Sequence, residues 1–228
     1  MLINCDIGER GVAHSIDDQL MAYIDIANIA CGGHAGDQHS ADYYYALAKK
    51  YAVKVSVHLS YPDKKNFGRE VMAIDDKALL NSLEQQYQVL NDVKTLKFHG
   101  ALYNEANRNR PLAQLLISWA ENAGITEVLT PQNSEIAKAC SQAKQITIIH
   151  EVFLDRNYTY SDNSLCLKSR KEADAMIHNT AEAIKQYHSF KKGFLIIDSK
   201  EVKIKADTGC VHSDSANALE LIRAVKSV

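Results

Sequence analysis

About seven times along the chain, a short apolar run ends in polar side chains and gives way to a helical pattern. No other feature of the sequence narrows the possible folds as much. Residues 1–5 lead into Asp6-Ile7-Gly8-Glu9, and residues 25–31 lead into Gly32-Gly33-His34-Ala35-Gly36-Asp37. Val53, Val55 and Val57 alternate up to His58, and residues 95–98 run into His99-Gly100. Residues 127–130 and 146–149 supply two more strands, the second reaching a tip at His150-Glu151 and Asp155-Arg156. Residues 194–197 and 202–206 read as a hairpin or as two closing strands, ahead of a last polar tip over 207–214. Between these runs, apolar residues recur at helical spacing. Asp17-Asp18 read as the cap of a helix through Tyr23, Asp75 as the cap of one carrying Leu79, Leu83 and Leu90, and Pro111 opens a helix that Gly124 closes.

Strands that alternate with helices in this way build a parallel sheet, and about seven βα units suit a closed (β/α) barrel, with a doubly wound open sheet as the competitor. Neither a composition break nor a Pro/Gly/Ser linker interrupts residues 1–228, which predicts a single domain. In a barrel all strand C-termini face one rim, so side chains remote in sequence converge there.

Charge and composition exclude several classes. A net charge of −2 gives no basic stripe for a phosphate backbone, so nucleic acid is not the expected partner. No run of about 18 apolar residues occurs, which argues against a membrane helix, and the N-terminus shows no leader pattern, so a cytoplasmic location is expected. The five cysteines are scattered and form no C-x-x-C pair, indicating neither a disulfide framework nor a zinc knuckle.

The strand tips offer Asn4, Asp6, Glu9, Asn28, His34, Asp37, His58, Asp63, Lys97, His99, Asn104, Glu151, Asp155, Arg156, His212 and Asp214. Imidazoles and carboxylates brought together serve either general acid–base catalysis or a divalent metal that activates water. The spacing selects neither: His34 and His39 are five apart, and there is no H-E-x-x-H. P-loop, dinucleotide-fingerprint and nucleophile-elbow patterns do not occur either. Lys97 and His99 share one side of their strand, and the flanking Leu96 and Phe98 point that side toward a polar interior. Arg69 and Arg156 are natural partners for a carboxylate or phosphate.

Seven ordered motifs then carry a resemblance that runs nearly end to end. They are Asn4-x-Asp6-x-Gly8-Glu9, the 27–37 stretch, His58 with Pro62-Asp63, Phe67-Gly68-Arg69, Lys97-x-His99-Gly100 with Leu102-Tyr103-Asn104, Glu151-Val152-Phe153-x-Asp155-Arg156, and Cys210-x-His212-x-Asp214. In these the chain resembles the LamB/YcsF family, the A subunits of bacterial 5-oxoprolinase. The resemblance implies a seven-stranded βα barrel akin to the sugar-deacetylase fold. It also implies ATP-dependent opening of 5-oxo-L-proline to L-glutamate together with B and C subunits, ATP with Mg being used by the complex. On that footing Asp6, His58, Lys97, His99 and Asp155 are the expected catalytic residues, and Asn4, Glu9, Asn28, His34, Asp37, Arg69, Asn104, Glu151, Arg156, His212 and Asp214 the expected substrate-binding ones. The alternatives are a metal-dependent carbohydrate deacetylase and a non-catalytic subunit that binds the lactam. The chain departs from the family pattern at Leu2, Gly33, where phenylalanine is usual, Leu59, Phe98, Asn163, Lys168 and Ser213.

Overall fold

In the computed structural model, which describes residues 1–161 and 164–228, the apolar runs pair side by side in parallel and close on themselves. The barrel strands are β1 (Leu2–Ile7), β2 (Ile26–Ala30), β3 (Lys54–Leu59), β4 (Thr95–Phe98), β5 (Glu127–Thr130), β6 (Thr147–Phe153) and, after the two hairpins described below, β11 (Thr208–Val211). Their order around the barrel is β1-β11-β6-β5-β4-β3-β2. The fold is thus the α/β barrel expected, with β11 completing the ring against β1. Asn163 lies outside the described residues.

Alternation across each strand decides which residues face the barrel axis. In β1, Ile3, Cys5 and Ile7 pack among the buried apolar residues, while Asn4 and Asp6 face the other way. Register carries this inner face around the ring, pairing Asp6 with Asn28, Asn28 with Ser56 and His58 with Lys97. Thr208 is likewise paired with Glu151. The interior is therefore polar and the apolar core lies between strands and helices. Leu96, Phe98, Val128 and Val211 meet that layer from the strands. The helices are α1 (Ser15–Leu20), α2 (Gln38–Tyr51), α3 (Asp76–Tyr87), α4 (Gly100–Ala106), α5 (Arg110–Asn122), α6 (Glu135–Cys140), α7 (Thr180–Lys191) and α8 (Ala218–Lys226). Asp75, Asn109, Ser134 and Asn179 cap α3, α5, α6 and α7 through backbone N–H groups of the first turn. Among the described residues no helix is long and apolar enough to cross a membrane.

Two expectations change and one alternative is decided. Asp17 is not a cap: it is fully buried inside α1, where it accepts from Gly8 N at 3.1 Å and pairs with Arg10, pinning the loop after β1. Glu151 lies within its strand and not at a tip beyond it, because β6 continues to Phe153 against β11. Residues 194–197 and 202–206 take the hairpin reading and do not close the barrel. β9 (Phe194–Ile197) and β10 (Lys200–Lys203) form an antiparallel hairpin outside it, as do β7 (Tyr158–Ser161) and β8 (Ser164–Leu167).

The departure at Gly33 has a local cause. Gln86, from α3, donates to Ser60 O at 2.9 Å and accepts from Ser60 N at 3.0 Å, and a Cβ on Gly33 would run into Gln86 Oε1 and Ser60 Oγ. The space that a side chain at position 33 would need is already filled. Gly33→Ala is expected to cost about 1–3 kcal/mol in urea unfolding, with part recovered on adding Gln86→Ala. A fully neutral Gly33→Ala would remove this account.

Candidate active site

Lys97 stands at the centre of the interior. Its ammonium lies 2.9 Å from Asp6 Oδ1, 3.0 Å from Glu151 Oε1 and 3.1 Å from Cys210 Sγ. Tyr103, from α4, donates to Glu151 Oε2 at 2.8 Å. Asn28 Nδ2 donates to Asp6 Oδ1 at 2.9 Å and to Asn4 Oδ1 at 2.8 Å, and Asn4 donates to Thr208 Oγ1 at 3.0 Å. Burial alone would push Asp6 up and Lys97 down. Instead, His58 and Lys97 hold Asp6 well below the usual carboxylate range, and Asp6, Cys210 and Glu151 hold Lys97 well above its ordinary value. The centre therefore keeps its ionised cation.

A second unit sits beside it at the ends of β6 and β11. Asp155 is fully buried and accepts from three donors on or near His212: the backbone N at 2.9 Å, the ring Nδ1 at 2.9 Å and Ser215 Oγ at 3.2 Å. Burial works upward on Asp155, but His212 and these hydrogen bonds hold it below its ordinary value. With Nδ1–H turned to Asp155, a neutral His212 ring presents the lone pair of its other nitrogen. Its ring stacks on Phe153, 5.3 Å between centroids.

The third unit is a corner of three histidines and Glu9. His58 Nε2 and His99 Nδ1 are 3.0 Å apart, and Glu9 Oε1 lies 2.9 Å from His34 Nε2, 3.5 Å from His99 Nδ1 and 3.9 Å from His58 Nε2. Burial brings His34 down to about 3 and, with His34 and His58 alongside, His99 well below its usual value. Burial, reinforced by Asp6, raises Glu9 to about 7. The donor atoms of Glu9, His34, His58 and His99 all lie within 4.8 Å of one another, as do those of Asp6, Cys210 and His212. In the second group the cation's place is taken, since the Lys97 ammonium touches both Asp6 and Cys210.

These units border one cavity of about 1130 Å³ lined by Asp6, His58, Lys97, His99, Glu151 and His212. Its walls are strongly cationic: Arg69, Arg108, Arg156, Lys168, Arg170 and Lys171 line it, with Lys200 and Lys203 from the β9–β10 hairpin. Against them the lining carries Asp6, Glu151 and Glu201 as acids, so an anionic guest is favoured.

The expected site residues thus converge, with four adjustments. Asp37 is exposed at the N-cap of α2, where its carboxylate accepts from Ser40 N at 2.8 Å; it caps a helix in place of contacting substrate. Asn4 and Asn28 are fully buried beneath Asp6 and Lys97, and support them without lining the cavity. Asp155 reaches the cavity only through His212. Asp214 is paired with Arg69 on the rim, whose guanidinium also lies over the Phe67 ring at 4.8 Å. Asn104 is exposed on α4 and lines the cavity, and Arg156 lines it while donating to Lys168 O at 2.5 Å. Sequence reasoning missed Tyr103 and Cys210 as partners of Glu151 and Lys97, and the hairpin cations. The Lys168–Lys171 cluster was the one available signal for the latter.

Fold and site together place this chain among the βα barrels that carry their acid–base side chains at the C-terminal ends of the strands, the layout in which barrel enzymes do their chemistry. It belongs to the LamB/YcsF family, which it matches over residues 1–228. It is similar to the A subunit of 5-oxoprolinase from Staphylococcus saprophyticus, at 36% identity over 98% of this chain and 92% of that protein. The corresponding protein of Staphylococcus haemolyticus is 34% identical over 98% of this chain and 93% of that one. Among solved structures it resembles the lactam utilization protein from Thermus thermophilus, with a TM-score of 0.84 and 26% identity, covering 100% of this chain and 94% of that one.

Proposed function

We propose that this chain is the ring-opening subunit of a cytoplasmic, ATP-dependent 5-oxoprolinase, acting with B and C partner subunits to convert 5-oxo-L-proline, ATP and two waters into L-glutamate, ADP and phosphate. The observation that carries the reading is the His212–Asp155 pair beside the Asp6–Lys97–Glu151 centre at the bottom of a cationic cavity. A five-membered lactam is an unstrained amide and a poor electrophile, so its carbonyl needs activation; phosphorylation of the carbonyl oxygen at the expense of ATP and Mg provides it. The partners handle the nucleotide, in keeping with a sequence that has no P-loop pattern.

Arg156 and the rim cations receive the substrate carboxylate and the phosphoryl group. His212, held by Asp155, takes a proton from water as its oxygen bonds to the activated carbon. The same imidazolium returns that proton to the ring nitrogen as the C–N bond breaks, which leaves the side-chain carboxyl as its acyl phosphate; a second water then releases phosphate and gives L-glutamate. Lys97 lines the cavity as a fixed positive charge facing the oxygen where negative charge develops. Of the imidazoles on the cavity wall, His212 is given the proton-transfer role in place of His58 and His99, whose rings face each other at 3.0 Å.

The test is to mix purified chain, B and C partners, ATP with Mg and 5-oxoproline, and to measure glutamate. Glutamate should form only in the complete mixture, and His212→Ala should abolish it. A partner pair of proven competence that yields none with this chain would overturn the assignment.

A further inference from the structure

We propose that Glu9, His58 and His99 form a binding site for one divalent transition-metal ion of the zinc type, with His34 orienting the carboxylate. The inference stands apart from what the cavity turns over. It begins with proton positions. His58 Nδ1 faces Lys97 O at 3.2 Å, and His99 Nε2 faces Phe67 O at 3.0 Å. A carbonyl oxygen can only accept, so each ring carries its proton on that outer nitrogen. When both rings are neutral, the inner nitrogens, His58 Nε2 and His99 Nδ1, are bare lone pairs that point at each other across 3.0 Å. Two acceptors at that distance repel unless something electropositive lies between them. Asp6 Oδ2 lies beside this pair, 3.4 Å from His58 Nε2.

The third neighbour is a carboxyl oxygen. Glu9 Oε1 lies 3.5 and 3.9 Å from the two nitrogens and, when ionised, accepts from His34 Nε2 at 2.9 Å. Three donor atoms separated by 3.0, 3.5 and 3.9 Å bracket the edge of about 3.3 Å expected between ligands of a tetrahedral ion with bonds near 2.0–2.1 Å. Two neutral imidazoles and one carboxylate match ligand sets that zinc uses in enzymes. Each imidazole is anchored through its outer N–H to a backbone carbonyl, the arrangement that fixes tautomer and orientation in metal sites. His34 does not serve as a fourth ligand in this geometry. Its ring is parallel to that of His99, 3.6 Å between centroids, and an ion cannot lie in both ring planes. Asp6 Oδ2, 3.4 Å from His58 Nε2, borders the remaining position. His58 and His99 both line the cavity, which gives the ion a route in.

The experiment uses the full chain alone, stripped with a chelator and then dialysed against Zn²⁺ or Co²⁺. One ion per chain is expected by elemental analysis, with visible d–d bands in the Co²⁺ form. Glu9→Gln, which keeps side-chain volume, and His99→Ala should each weaken binding by at least about tenfold. His39→Ala, which removes an exposed imidazole on α2, should leave binding unchanged. Circular dichroism checks that each variant is folded, and if His99→Ala is not, Glu9→Gln alone decides. A wild-type chain that retains no ion overturns the proposal, as does binding that Glu9→Gln leaves intact. So does nitrogen NMR of the metal-supplemented chain that finds a single proton shared between His58 and His99.

Discussion

Lys97→Met should lower the unfolding free energy by about 3–5 kcal/mol, the usual result of stripping one partner from a buried ion pair. The change keeps most of the side-chain volume and removes the charge, leaving Asp6 and Glu151 buried without their shared cation. The pH dependence identifies the cause. In the wild type Asp6 titrates below its unfolded value, so its contribution is fully present above about pH 4 and is lost as pH falls through the folded pKa. In the variant, burial without a cation pushes a carboxylate up. The folded state then binds the proton that the unfolded state has released, and stability rises as pH falls from 7 toward about 4. Urea titrations across that range should show the variant gaining more stability toward pH 4 than the wild type, in which Asp6 adds no slope above about pH 4. A variant that follows the wild-type slope would show that Lys97 does not hold the interior together.

Asp155→Asn should cost about three to four orders of magnitude in glutamate formation by the assembled complex, the scale of the same change in a serine-protease triad. The amide keeps an oxygen for the His212 backbone N–H, so the fold should survive. Its NH₂ group can turn to His212 Nδ1 and make that atom the acceptor, moving the ring proton to the nitrogen that has to be bare. A loss in kcat with KM little changed is the signature of such a positioning residue. Asp155 touches no part of the cavity, so a rise in KM alone would contradict the role given to it.

Most of the barrel was legible in the sequence, because a strand buried on both sides and a helix buried on one leave different spacings of apolar residues. Lys97 was legible as an interior cation for the same reason: it alternates with Leu96 and Phe98, which face the helix layer. The closing strand was harder to find. Residues 194–197 are as apolar as β11, and only pairing partners distinguish a hairpin that lies outside the barrel from the strand that seals it. The roles of Asp37 and Asp17 were misread because a carboxylate near a helix start has the same sequence appearance whether it caps, pins a loop or meets a ligand. The division of labour between Asp155 and His212, 57 positions apart, depends on hydrogen-bond direction, which spacing does not encode.

The alternation within β1 has a consequence for how such a chain can change. Ile3, Cys5 and Ile7 answer to the helix layer, and Asn4 and Asp6 to the polar interior, so one ribbon serves two masters at every second residue. Drift in the packing residues is free to proceed without disturbing the chemistry, and new specificity can arise on the inward side, or on the cationic hairpins above it, while the scaffold stays as it was.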